Sequence, residues 1–279
     1  MIQAISVTGL AVFTGFTGLM SLGHAAFIAI GAYTAAICTK TYGLPFILAA
    51  VLAACMAGLA SLIIGIPTLR AKLRSDYFTI ATLGFGEAVR VLIENLTITN
   101  GARGIARLTK HSTFAVTLIT LAAVIYLTGN FVSSRYGRMA VAVREDHVAA
   151  EMSGINLFNV RLRSLFFSAV CAGLGGAFYA HYICFIQPNM FTNVQSTLLT
   201  AAVVAGGIGS LSGPVIAALL FAGIPEILRA AEMWRLVVYG GILVAIMVLR
   251  PQGILGYKEI SHFFRKKSPV PEAERGDGL

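Results

Sequence analysis

The chain is 279 residues long, 57% hydrophobic and 12% charged, with a formal net charge of +9. Ordinary soluble domains carry about 25% charged residues, so a chain this apolar cannot clothe itself in polar surface, and lipid is its expected solvent. The positive balance is explained by Lys and Arg kept on the cytoplasmic side of a membrane, and no nucleic-acid partner is expected.

Four runs contain no Asp, Glu, Lys or Arg: 1–39, 41–69, 113–134 and 164–225. A spanning helix needs about 20 apolar residues. The predicted spans are 2–20, 24–39, 44–66, 77–94, 113–134, 164–187, a broken 195–224, and 233–250. The expected fold is an all-α membrane protein, a polytopic helical bundle of about eight segments that includes broken or re-entrant helices. Residues 1–257 form the membrane domain, with a cytoplasmic segment at 135–163, and 258–279 form a cytoplasmic tail. The first run has no positive leader and is too long for a signal peptide's apolar stretch.

That first run holds TGFTGLMSLGHAAF at 14–27, interrupted by Gly15, Gly18 and Gly23. Its Ser21-Leu22-Gly23 is similar to Ser210-Leu211-Ser212-Gly213 much later in the chain. Paired glycine-interrupted segments point to an inverted internal repeat around a central substrate site. His24 beside the break is either functional, as ionisable residues in spans often are, or bonded to a neighbouring helix backbone. Span 77–94 is the least hydrophobic, with Glu87, Arg90 and Glu94 on one helical face. These three read as a helix-end charge cluster, or as a group facing the bundle interior with a role in the path or in receiving an external partner.

Three stretches carry most of the positive charge: RAKLRSD at 70–76, the segment 135–163 with five Arg against three acids, and the tail with Arg265, Lys266 and Lys267. The positive-inside rule puts all three in the cytoplasm. The loop 95–112 carries Arg103, Arg107 and Lys110, but one span separates it from 135–163, so it is placed outside. With 135–163 and the C-terminus both inside, the region between spans 164–187 and 233–250 crosses zero or two times. Its centre, AGGIGSLSGP at 205–214, contains Gly206, Gly207, Gly209, Gly213 and Pro214. Each Gly costs about 1 kcal/mol against Ala in a helix, and Pro about 3. Two shorter helices joined by irregular backbone are expected, either lining a translocation path or forming a plain turn.

The stretch GRMAVAVREDHVAAEMSGIN at 137–156 sets Arg144, Glu145 and Asp146 side by side. Its helix formers predict one helix over 138–153, stopped by Gly154 at its C-terminal cap. The four cysteines, Cys38, Cys55, Cys171 and Cys184, lie in apolar segments without metal-ligand spacing, and no metal site is expected. No G-x-x-x-x-G-K-[ST] run occurs, so the chain has no P-loop. Ionisable residues are missing from the middle of the strongly apolar spans, unlike ion-coupled carriers. The expectation is a transport pathway powered from elsewhere, with an autonomous secondary transporter or an intramembrane enzyme as competitors.

Five ordered stretches carry a family resemblance: GLMSLGHAAFIAIGAY (18–33), LRSDYFTIATLGFGEAVR (73–90), GRMAVAVREDHVAAEMSGIN, GGIGSLSGP (206–214) and LRPQGILG (249–256). The chain resembles the permease subunits of bacterial ABC importers for branched-chain amino acids, in the LivM-like branch. The resemblance implies a multi-pass inner-membrane subunit that pairs with a second homologous permease subunit. It also implies two cytoplasmic ATPase subunits that use ATP and Mg, a periplasmic substrate-binding protein, and no cofactor bound by this chain. The implied coupling helix holds Arg138, Arg144, Glu145, Asp146, His147, Glu151 and Gly154. The implied substrate pathway uses Gly18, Ser21, Gly23, His24, Gly206, Gly207, Gly209, Ser210, Gly213 and Pro214. Relatives of the family serve urea or short amides. The chain departs from the pattern at Asn100, His147 and Ala217-Ala218, and begins late for the hydrophobic segment that usually precedes SLGHAAF.

Overall fold

The computed structural model describes residues 1–71 and 75–227, with Gly240 and Gly241. The predicted span 233–250, the tail 258–279 and the LRPQGILG motif lie outside the described residues, apart from those two glycines. Helices dominate what is described, and the helix that organises them is α8, Leu157–Ile183. Its start is set by a cap: the Asn156 Oδ1 accepts from the Asn159 N–H at 3.1 Å. Its end is set by Cys184 in the left-handed region, φ 62°. At 27 residues it runs about 40 Å.

Helix α1 (Ile2–Leu10) continues through a π-helical segment, Ala11–Gly15, and packs antiparallel on α8. Helix α2 (His24–Lys40) lies alongside α8, and α3 (Phe46–Arg70) packs antiparallel to it. A methyl group at Gly31 would strike the Gly173 backbone, and one at Gly176 the Ile28 carbonyl. These helices therefore touch main chain to main chain, the close approach that small residues permit where lipid supplies no hydrophobic drive. Around them lie α4 (Ser75–Asn95) and α5 (Phe114–Ser133). Two further helices, α9 (Asn193–Gly206) and α10 (Ser212–Ile227), pack on each other and on α1.

The bundle has two distinct ends. At one, strand β1 (Ile105–Ala106) pairs antiparallel with β2 (Phe185–Ile186) just beyond the end of α8. His111, Phe46 and His181 cluster there, with ring centroids 4.8–5.9 Å apart. At the other end lie α6 (Arg135–Glu145) and α7 (His147–Met152). The loop 95–112 and the segment 135–163 thus sit at opposite ends, joined by α5, as the single predicted span between them requires.

Three expectations change. The predicted single helix 138–153 is two helices, because Asp146 takes an extended conformation (φ −150°, ψ 109°) and caps α7, accepting from Val148 N at 2.8 Å and Ala149 N at 3.1 Å. Gly154 does stop α7: at φ 80° it donates to Glu151 O while Ile155 N donates to Ala150 O, a Schellman closure. Span 164–187 begins seven residues earlier, since its cap lies at Asn156 and Arg161 and Arg163 are inside the helix. Among the described residues only α3, α5 and α8 are long and apolar enough to cross a membrane alone; Ile2–Gly15 and Ser212–Gly223 are shorter apolar helices. The count of eight is not reached within the described residues. The broken 195–224 segment is as expected, two helices with five irregular residues between them.

Candidate translocation and coupling site

Both glycine-rich segments form helix–break–helix units. The first is α1 with its π segment, an irregular 18–23, and α2; the second is α9, an irregular 207–211, and α10. Gly18 at φ 74°, Gly207 at φ 117° and Gly209 at φ 103° occupy backbone that side-chain-bearing residues avoid. In the second break Gly206 and Gly213 pack backbone to backbone, Gly206 against Pro214 N and Gly213 against Gly206 O. The two breaks meet: a Cβ on Gly15 would lie 3.6 Å from Gly209 N.

The first break is held by a collar of hydroxyls. His24 is 1% exposed. Its Nδ1 lies 2.9 Å from Ser21 Oγ and its Nε2 2.7 Å from Ser168 Oγ on α8. In either tautomer one ring nitrogen donates and the other accepts from a hydroxyl, so the partners are side chains and not a helix backbone. Leu22 N donates to Thr82 Oγ1 at 3.2 Å, Ala25 N to Ser196 Oγ at 2.8 Å, and Thr200 Oγ1 to Ser21 O at 3.1 Å. Irregular backbone inside an apolar bundle needs such partners. Ser168, Thr82, Ser196 and Thr200 are functional candidates that the sequence reading missed. Their only signal was a hydroxyl inside an apolar helix. Thr14 Oγ1 and Ser212 Oγ, one beside each break, are buried with no partner among the described residues. Ser210 Oγ donates to Gly207 O at 3.4 Å within its own loop.

Glu87, Arg90 and Glu94 do share a face. Arg90 Nε reaches Glu87 Oε2 at 2.8 Å and its Nη1 reaches Glu94 Oε2 at 3.3 Å. The cluster is also a joint between elements: Asn193 Nδ2, at the start of α9, donates to Glu87 Oε1 at 2.8 Å, and Arg90 Nη1 donates to Asn189 Oδ1 at 3.4 Å.

The charged segment divides into roles. Arg138 is exposed and bonds Ser133 O at 2.7 Å. Asp146 serves α7 as its cap, and the Ala149 and Val148 N–H groups hold its carboxyl below the usual carboxylate range. Glu145 is exposed and pairs with Arg144 at 2.6 Å. Arg144 itself turns inward. Its side chain is 12% exposed, its Nη1 donates to Gly15 O at 2.9 Å, and its Cγ lies 3.0 Å from where a Cβ on Gly18 would sit. Arg144 thereby ties α6 to the end of the first broken helix, which in turn touches the second. His147, Glu151 and Gly154 line a cavity beside it.

A family model described as "Branched-chain amino acid transport system / permease component" matches residues 1–247. The chain belongs to this permease family. It is 34% identical to the "High-affinity branched-chain amino acid transport system permease protein LivM" of Escherichia coli (strain K12), over 91% of this chain and 68% of that protein. It is 32% identical to the corresponding LivH protein of the same organism, over 51% of this chain and 47% of that one. It is 24% identical to the "Probable branched-chain amino acid transport permease protein LivM" of Methanocaldococcus jannaschii, over 77% of this chain and 69% of the relative. No solved structure matches the chain. For a transport permease, the two touching breaks and the arginine that reaches them are the features of interest.

Proposed function

We propose that this permease is a pore-forming subunit of a bacterial ABC importer that moves branched-chain amino acids across the inner membrane. Two separate cytoplasmic ATPase subunits supply the energy from ATP and Mg, a second homologous permease subunit completes the pore, and a periplasmic protein delivers the cargo. The C-terminus lies in the cytoplasm. The relatives named above support the cargo class and the pairing of two permeases. The charge pattern supports the orientation.

One observation carries the mechanism: the Arg144–Gly15 bond at 2.9 Å. In this reading the ATPase grips α6–α7 on its exposed residues, Arg138, Glu145 and Met152. Movement of α6 is then passed by Arg144 to Gly15 and Gly18, and through Gly209 to the second break. The breaks open and close around a cargo whose ammonium and carboxylate meet hydroxyls and freed backbone groups. Such partners hold a zwitterion without binding it too tightly to release.

The test is ATP-driven leucine uptake in liposomes holding the purified assembly. Uptake that needs ATP, the ATPases and the binding protein is the expected result. Recovery of the chain with neither an ATPase nor a second permease, or uptake that persists without ATP, would sink the reading.

A further inference from the structure

A cavity of about 940 Å³ opens at the α6–α7 end of the bundle. Its walls are apolar in Leu69, Ile155 and Phe158, and among the described residues three guanidinium groups line it, from Arg70, Arg144 and Arg161, against the one carboxylate of Glu151. Arg144 is committed to Gly15 and Glu145. The other two cations are not spent in this way. Arg161 Nε is buried with no partner among the described residues. Arg70 is exposed, its guanidinium carbon 5.7 Å from the centre of the Phe158 ring. The first turn of α8 and Ser75 at the start of α4 also border the space, and helix N-termini favour anions. Lys72 and Arg74 follow Arg70 in the sequence.

The outer face of α3 leads to this cavity. Leu59, Ile63 and Ile66 are exposed at 53%, 71% and 38%, and with Arg70 they fall at spacings of four, three and four, one stripe along the helix. An apolar stripe that ends in a guanidinium beside a cationic hollow matches an amphiphile with an anionic head. We propose that the cavity binds the phosphate of an anionic phospholipid between Arg70 and Arg161, with an acyl chain along Leu59, Ile63 and Ile66. Basic hollows between membrane helices on the cytoplasmic side recognise such head groups. The site concerns lipid and stands whether or not the cargo assignment holds.

Native mass spectrometry of the detergent-purified full chain, with whatever subunits accompany it, tests the site. The probes are phosphatidylglycerol, phosphatidylcholine with the same acyl chains, and inorganic phosphate. Phosphatidylglycerol should be retained over phosphatidylcholine, and inorganic phosphate should not displace it at equal concentration. Each guanidinium removed should cost roughly fivefold, so Arg70→Gln with Arg161→Gln should lose about 25-fold. Arg70→Lys with Arg161→Lys should keep most of the preference. Arg163→Gln, whose guanidinium stacks on Tyr136 at 4.4 Å, should change nothing. If the double Gln variant does not fold, the wild-type preference must still weaken as salt rises. Equal retention of both lipids, or a folded double Gln variant that keeps the preference, overturns the proposal. Displacement by inorganic phosphate alone overturns the lipid assignment and leaves a soluble-anion site.

Discussion

Arg144→Glu is the most incisive perturbation of the proposed machine. In the native structure its Nη1 donates to Gly15 O at 2.9 Å from a side chain only 12% exposed. A hydrogen bond to a charged donor in such surroundings contributes about 1.5–3 kcal/mol. The substitution removes it and aims a carboxylate at a carbonyl oxygen. Taking about 2 kcal/mol as the lost link, the equilibrium between a coupled and an uncoupled arrangement of α6 and α1 shifts roughly 30-fold. The membrane core, built on α1, α2, α3 and α8, does not depend on this bond and should assemble. The assay is leucine uptake per ATP hydrolysed in liposomes, with wild type, Arg144→Glu, Arg144→Lys and Glu145→Gln side by side. Hydrolysis should continue in Arg144→Glu while uptake per ATP falls by about an order of magnitude or more. Arg144→Lys, which keeps the charge but loses the fork, should fall between. Glu145→Gln removes the exposed pair with Arg144 and one contact proposed for the ATPase, so it should lower uptake and hydrolysis together and leave their ratio within about threefold. An unchanged uptake-to-hydrolysis ratio in a folded Arg144→Glu assembly would refute the linkage.

Other substitutions probe the remaining joints. Gly31→Ala drives a methyl into the Gly173 backbone and should cost about 1–3 kcal/mol of bundle stability, whereas Gly84→Ala meets nothing within 4 Å; thermal unfolding in detergent should separate the two. Gly206→Ala pushes the second break against Pro214 N and should abolish uptake more than it lowers stability; a fully active variant would argue that the break is only a turn. His24→Ala strands the hydroxyls of Ser21 and Ser168 and should cost about 1–3 kcal/mol, read as earlier thermal unfolding. The α7 cap should also show a pH signature. The Asp146 carboxyl titrates below its ordinary value in the folded state, so capping is fully present above about pH 4 and is lost as pH falls through the lowered folded value. Amide exchange of residues 147–152, corrected for intrinsic rate, should be equal at pH 8 and pH 5 and faster near pH 3, and Asp146→Asn should lose that dependence.

The absence of charge located helices well and helix ends poorly, for a physical reason. Charge-free runs mark where lipid is tolerated, but a helix stops only at a cap. Arg161 and Arg163 therefore lie inside α8, which Asn156 begins, and α3 continues past Pro67 to Arg70. Long Arg side chains can carry their charge away from apolar surroundings while the helix continues. The break at 207–211 was legible because glycine and proline report backbone directly. The division of α6 from α7 was not, since Asp146 can sit in a helix or cap one. The ion cluster on α4 was visible as spacing; its joint to Asn193 was not. Nor could local reading find the partners of the first break. Ser168 is 144 residues from His24, and Arg144 is 129 from Gly15. Those pairings exist because α8 packs beside α2 and the Arg144 side chain reaches from α6 to the end of the π-helical segment.

The composition of the collar is itself an argument about transport. A fixed carboxylate or guanidinium at the first break would bind a zwitterion's opposite end strongly in low dielectric. It would also carry a desolvation penalty whenever the site emptied. Among the described residues the break is held instead by Ser21, Ser168, Ser196, Thr82 and Thr200 around His24. Hydroxyls can exchange partners with little net cost, because each both donates and accepts. In the proposed mechanism, a break held this way trades its own backbone for a passing ammonium or carboxylate and then recovers. Among the described residues the cation that reaches it is Arg144, which meets it from outside through the Gly15 carbonyl; in the proposed mechanism it moves the break there without becoming a binding site for what passes through.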